Sequence, residues 1–204
     1  MPTIVHGFDW PERIVVGTIG QPGERSFYLQ VRDGSRVTSV ALEKQQSAAL
    51  AEKLEEILDE LMATDGNRWS VPESTPLELV DNDPLDQPVE PEFRTGAMSL
   101  GFAPETAQVV IEAFPLDDLD EDDDSDDPVV SEPSEVLQVR IPVGAARAFA
   151  SRTREIVGRG RPLCPLCGRP MDATGHVCVM PGDETEGFDG LDGFDEVDDP
   201  FDDR

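Results

Sequence analysis

With 204 residues, 44 Asp and Glu against 16 Lys and Arg, and a formal charge of −28, the chain has room for one ordinary domain plus a small appendage. Only 38% of residues are hydrophobic, so part of the chain stays outside any core, and no apolar run approaches the roughly 18–20 residues that span a bilayer. The opening Met1-Pro2-Thr3-Ile4 lacks the pattern of a signal peptide, which with the acidic charge sets aside a membrane protein, a secreted scaffold and a wholly basic nucleic-acid binder.

Taken in chain order, Arg13 to Gly20, Ser26 to Arg32 and Arg36 to Leu42 are strand-like runs. The first two are separated by Gln21-Pro22-Gly23-Glu24, where proline presets φ and glycine accepts a positive one, and the second pair by the hairpin signal Asp33-Gly34. Leu50, Leu54, Ile57, Leu58 and Leu61 then recur at helical spacing. Pro72, Pro76, Pro84, Pro88 and Pro91 break both helix and central strand, so the stretch from about residue 63 to 92 reads as a connection.

The order then repeats. Phe93 to Gly101, Thr106 to Phe114 and Val136 to Ile141 are strands, and Ala146, Phe149, Ala150, Ile156 and Val157 share one face of a second helix. Gly20 matches Gly101 at an offset of 81, and Leu50 with Ile57 matches Phe149 with Ile156 at an offset of 99; the difference of 18 is close to the length of an acidic insert. The expected fold is therefore α+β, two βββα units with antiparallel sheet that bury their apolar faces together.

The acid is segregated. Residues 117–135 carry eleven acids and no base, and residues 183–204 carry eleven acids with Arg204 as the only base. Blocks of this density repel themselves and are expected to be disordered, although Phe188, Leu191, Phe194 and Phe201 give the tail an acidic-hydrophobic alternation.

Cys164-Pro-Leu-Cys167-Gly168 is followed nine residues after Cys167 by His176-Val-Cys178. In a zinc knuckle the glycine after the second cysteine permits a tight turn in which backbone N–H groups face the sulfurs. Cys164, Cys167, His176 and Cys178 together make a Cys₃His set suited to tetrahedral Zn²⁺, and four protein ligands suit a structural rather than a catalytic ion. The rival chemistry is an exchanging dithiol at Cys164 and Cys167, for which no thioredoxin-like context is present. Three clustered cysteines also fit a reducing cytoplasm better than a disulfide framework.

The approach to this module is basic. Arg147, Arg154 and Arg161 fall seven residues apart, near one face of the second helix, and form a candidate anion or partner face. A solvated helix face is the simpler reading, and the absence of interleaved aromatics argues against nucleic acid. No phosphate-binding loop, dinucleotide fingerprint, nucleophile elbow or zinc-protease motif occurs, and His6, near Asp9 and Glu12, reads as a surface histidine at a strand start.

Phe8-Asp-Trp-Pro-Glu-Arg13, Gly17-Thr-Ile-Gly-Gln-Pro-Gly-Glu-Arg25, Phe27-Tyr-Leu-Gln30, Val40-Ala-Leu-Glu-Lys44, and Gly160 to Gly168 with Gly175-His-Val-Cys178 resemble an actinobacterial family of unknown function. The resemblance covers nearly the whole chain apart from the acidic insert and tail. Members tend to be encoded beside a histidine-phosphatase-like and a phosphatidylinositol-kinase-like protein, so the resemblance implies a pathway shared with phosphoryl transfer and supplies no activity.

The organisation expected is a first βββα unit over 1–62, a Pro-rich acidic connection over 63–92, and a second unit over 93–160 with its insert at 117–135. A zinc module over 161–181 and an acidic tail over 182–204 follow. The function expected is a cytoplasmic, zinc-binding interaction or regulatory protein with a protein partner, the kinase-like or phosphatase-like neighbour being favoured by the resemblance. An enzyme acting on a phosphorylated small molecule through the arginine face, and a nucleic-acid-binding zinc module, are the alternatives.

Overall fold

The computed structural model describes residues 2–21, 23–116, 133–159, 164–167, 171 and 178. The expectations for the acidic insert over 117–132, the tail over 182–204, His176 and Arg161 lie outside the described residues. The chain divides into two compact units, Met1–Arg161 and Pro162–Arg204.

In the first unit the strands are β1 (Ile4–Asp9), β2 (Arg13–Ile19), β3 (Ser26–Asp33), β4 (Arg36–Leu42), β5 (Pro91–Ala103), β6 (Gln108–Pro115) and β7 (Glu135–Pro142). Helices α1 (Lys44–Ala63) and α2 (Val143–Gly158) each follow a three-stranded meander. The class is α+β, and strand-strand-strand-helix occurs twice. The seven strands form one mixed sheet in the order β1-β7-β6-β5-β4-β3-β2. Within each meander the pairing is antiparallel, as the hairpin signals require, but β4 pairs β5 and β1 pairs β7 in parallel. The antiparallel expectation holds within each βββα unit; where β4 meets β5 the pairing is parallel because helix α1 lies between them in the chain, so the return to the sheet is a crossover. Strand β1, of which the sequence marks only a strand start at His6, adds the seventh strand.

The sheet must curl. Four residue steps from Asp9 to Arg13 reach at most about 14 Å, whereas opposite edges of seven flat strands would stand about 29 Å apart. Strand β5 makes the bend. Its beginning pairs with β4, its remainder pairs with β6, and the register shifts between Thr95 and Ala97. Across the opening, the Arg36 guanidinium at the start of β4 lies 3.7 Å from the ring centre of Phe8 and donates to the Gly7 carbonyl of β1.

Gln46 ties helix α1 to that bend. Its Oε1 accepts from the Glu43 N–H at 2.8 Å, completing a capping box, and its Nε2 donates to the Thr95 and Gly96 carbonyls at 2.9 and 3.2 Å. The buried face of α1 is Leu50, Ala51, Leu54 and Leu58. Side chains such as Leu54 and Leu58, fully withdrawn from water, contribute about 2 kcal/mol each. They join Val16, Leu29, Val40, Ile111, Val139, Ile141 and Phe149 in one core. The last turn of α2 is capped from outside, Arg25 donating from Nη1 to the Arg159 carbonyl at 2.5 Å.

The connection between the meanders is a strap across the outer face of β2 and β3. Leu85 is buried against Gly17, where an added Cβ would come within 2.5 Å of Leu85 Cγ. Gln30, itself buried, donates from Nε2 to the Asp86 carbonyl at 3.0 Å and accepts the Asp86 N–H on Oε1 at 2.8 Å. Arg13 donates from Nε to Asp81 at 2.6 Å and from Nη2 to the carbonyls of Asp83 and Pro84 at 2.9 and 3.0 Å. Arg152 of α2 reaches the same Asp81 and the Asp83 carbonyl.

Candidate metal centre

Residues 165–167 form a turn directly after Cys164. The Leu166 N–H donates to Cys164 Sγ at 3.4 Å, the amide-to-sulfur geometry expected of a C-x-x-C knuckle. Cys178 comes back to this turn with its Sγ 3.9 Å from that of Cys164. All three sulfurs, Cys164, Cys167 and Cys178, lie within 4.8 Å of one another, and none is in a disulfide.

These distances fit a metal. With Zn–S bonds of about 2.3 Å, tetrahedral geometry separates two sulfurs by about 3.8 Å. Three soft donors on this scale can hold an ion such as zinc. The fourth ligand of the expected set, His176, lies outside the described residues.

The thiols are unequal. Backbone N–H groups of Cys167 and Leu166, hydrogen-bonding to Sγ, pull the Cys164 thiol below its ordinary range. Its hydrogen bond to Cys167, with burial and the contact to Cys164, pushes the Cys178 thiol up to about 11. Cys164 therefore gives up its proton more readily than Cys178, and a metal entering the cluster displaces the proton that Cys178 holds.

The arginine face is arranged differently from a solvated stripe. Arg147 is 7% exposed, donating from Nη2 to Asp59 of α1 at 2.7 Å and from Nε to the Pro72 carbonyl at 3.1 Å. Arg154 is exposed and pairs with Glu55 of α1 at 2.6 Å. Arg161 lies outside the described residues. The two described arginines thus form rungs between helices, with donors already engaged.

His6, on β1, meets Glu135 of β7 at 3.0 Å rather than Asp9 or Glu12, while Asp9 accepts from Gln108. Glu135, placed by the sequence at the end of the acidic insert, opens strand β7. Sequence reasoning missed the cluster in which Arg13 and Arg152 converge on Asp81. No motif marks it, because its three members come from β2, α2 and the strap.

Comparison with protein families matches residues 6–178 to proteins of unknown function, DUF3090. The chain belongs to the DUF3090 family. The matched span of this DUF3090 chain ends at Cys178, so it takes in the whole three-cysteine cluster. No curated protein and no solved structure matches it. Among the described residues no helix is long and apolar enough to cross a membrane.

Proposed function

We infer that this DUF3090 protein is a cytoplasmic zinc-binding interaction or regulatory protein that works by engaging another protein rather than by chemistry of its own. The observation that carries the reading is the convergence of Cys164, Cys167 and Cys178 within 4.8 Å. With His176 as fourth ligand the coordination sphere is filled, which suits a structural Zn²⁺ that shapes a small surface module. The partner favoured is a phosphoryl-transfer protein, histidine-phosphatase-like or phosphatidylinositol-kinase-like. That choice rests on the encoding of such proteins beside members of the actinobacterial family the sequence resembles.

The enzyme and nucleic-acid alternatives both drew on the arginine face. Arg147 and Arg154 are engaged with Asp59 and Glu55, so neither alternative gains support from them.

The test uses full-length wild type, Cys164→Ser/Cys167→Ser and His176→Ala. Zinc is assayed by mass spectrometry, and each protein is used as bait for the purified phosphatase-like and kinase-like proteins. One zinc per wild-type chain, lost from the variants together with capture, is the expected result. Zinc retained by the double variant, or capture indifferent to it, overturns the reading.

A further inference from the structure

Apart from the cysteine cluster, the first unit has an exposed cleft that no part of the reading above uses. It lies between the corner joining β1 to β2, the strap and the first turns of α2, with a volume near 180 Å³. Pro11, Ile14, Leu79, Val80, Ala145 and Ala148 give it apolar walls. Leu79 and Val80 are 40% and 51% exposed, and Leu77 beside them is 88% exposed. Next to Pro11 stands Trp10, 58% exposed and held at a φ of 56°, a left-handed conformation uncommon for a tryptophan. Its backbone N–H is fixed on the Arg140 carbonyl at 3.0 Å. A large aromatic side chain that is exposed on a backbone in an unfavourable conformation points to use of the side chain.

Charge identifies the occupant. Arg13, the one cation on the cleft, is committed to Asp81 and Asp86. Among the described residues Glu78 has no ion-pair partner, and Glu12 has only a 4.0 Å approach to Arg32. The rim therefore presents free negative charge around an apolar groove. The volume is below the about 300–1,000 Å³ of small-molecule sites and suits an anchoring side chain. A second copy seated by twofold symmetry would oppose acid to acid, and so would this chain's own acidic tail.

We propose that this cleft docks a basic segment of a partner protein, seating one aliphatic or aromatic anchor between Pro11, Leu79 and Val80, with the exposed Trp10 adjoining at Pro11 and flanking Lys or Arg on Glu12 and Glu78. The proposal rests on the idea that the chain works by binding protein, but on residues of the first unit and not on the metal.

The probe is a random peptide library displayed on phage and panned against the full-length protein, followed by binding of the selected peptides as labelled synthetics. Peptides with an apolar anchor flanked by Lys or Arg are the expected result. Trp10→Ala and Glu78→Lys should each weaken them about tenfold or more, and Glu78→Lys should recover binding to a peptide whose Lys is changed to Glu. Both substitutions sit on exposed residues, and unchanged circular dichroism and melting confirm that loss is local. Binding that survives in Cys164→Ser/Cys167→Ser separates this site from the metal centre. Enrichment of no peptide, of acidic or uncharged peptides, or of peptides indifferent to Glu78→Lys overturns the proposal. So does loss of binding in the cysteine variant, or a Trp10-dependent dimer in sedimentation.

Discussion

Arg147, buried on α2, and Asp59, largely exposed on α1, meet at 2.7 Å and join the two helices of the repeated units. Seven residues along, Arg154 repeats the contact with Glu55, but from a side chain that is 67% exposed. The two rungs differ in solvent screening more than in length, and so should differ in worth. Arg147→Ala removes a buried stem and the donor to the Pro72 carbonyl, and should cost about 2 kcal/mol. Arg154→Ala should cost under about 1 kcal/mol. Urea unfolding of the two variants measures both, and equal costs would contradict this account.

The strap makes a steric prediction. Gly17→Ala places a Cβ 2.5 Å from Leu85 Cγ and 2.6 Å from Leu85 Cδ2, so Leu85 must leave its site. The expected destabilisation is about 1–3 kcal/mol. Leu85→Ala alone should cost about 2–3 kcal/mol. The double variant should cost no more than Leu85→Ala, because the second change removes the atoms that the first meets. Additive losses in denaturant titrations would mean that Gly17 is needed for something other than Leu85.

Asp81 sets an acid limb. Burial opposes its charge, but hydrogen bonds from Arg13 and the Asp83 N–H, with the positive charges of Arg152 and Arg13, hold its carboxyl down from 3.8 to about 2. A carboxylate whose pKa falls on folding adds stability above its unfolded value, and that stability is lost as pH falls through the folded value. The stability difference between wild type and Asp81→Asn should be constant near neutrality and shrink from about pH 4 to about pH 2. Urea midpoints of both proteins across that range test it, and a difference that grows on acidification would be the wrong sign.

The cysteine cluster predicts an order of reaction. In metal-free protein near pH 8 iodoacetamide should modify Cys164 ahead of Cys178, since the Cys164 thiol is lowered and that of Cys178 is raised to about 11. One equivalent of zinc should protect all three, and a chelator should restore the ranked reactivity. Peptide mass spectrometry reads the order, and Cys178 reacting first would show that the amide-to-sulfur contacts do not govern the cluster.

Much of the fold was legible because it is written locally. Strand β4 has the bounds that its residue pattern predicts, and β2, β3, β6 and β7 differ from their predicted ends by one or two residues. The leucine spacing of α1 identifies the face that is buried. Strand β1 is legible only as a strand start at His6 for a physical reason: only Phe8 of its six residues is buried, so no alternation marks it, and its partner β7 is remote in sequence. The strap failed similarly. Proline kept α-helix and strand out of most of the connection but not out of its end, since Pro91 opens β5, the middle strand of the sheet, and the ordered contacts of Asp81, Leu85 and Asp86 depend on Arg13, Gly17 and Gln30, which pairwise patterns along the chain do not expose. At the candidate site the cysteine spacing carried the whole signal. Heptad spacing found the arginines but missed that the acids of α1 stand opposite them.

The pairing of β1 with β7 has a consequence for biosynthesis. His6 and Glu135 are 129 positions apart, so the ribosome releases the first strand long before its neighbour exists. The first meander and α1 can begin to assemble while later residues are still being added, because β2, β3 and β4 find all their strand-pairing partners except β5 among themselves. Until β7 emerges, however, Ile4 to Asp9 have no place in the sheet, and the Arg36 guanidinium has no Phe8 to lie against. The N-terminal strand is thus made first and seated last, which ties closure of the curled sheet to completion of the second meander.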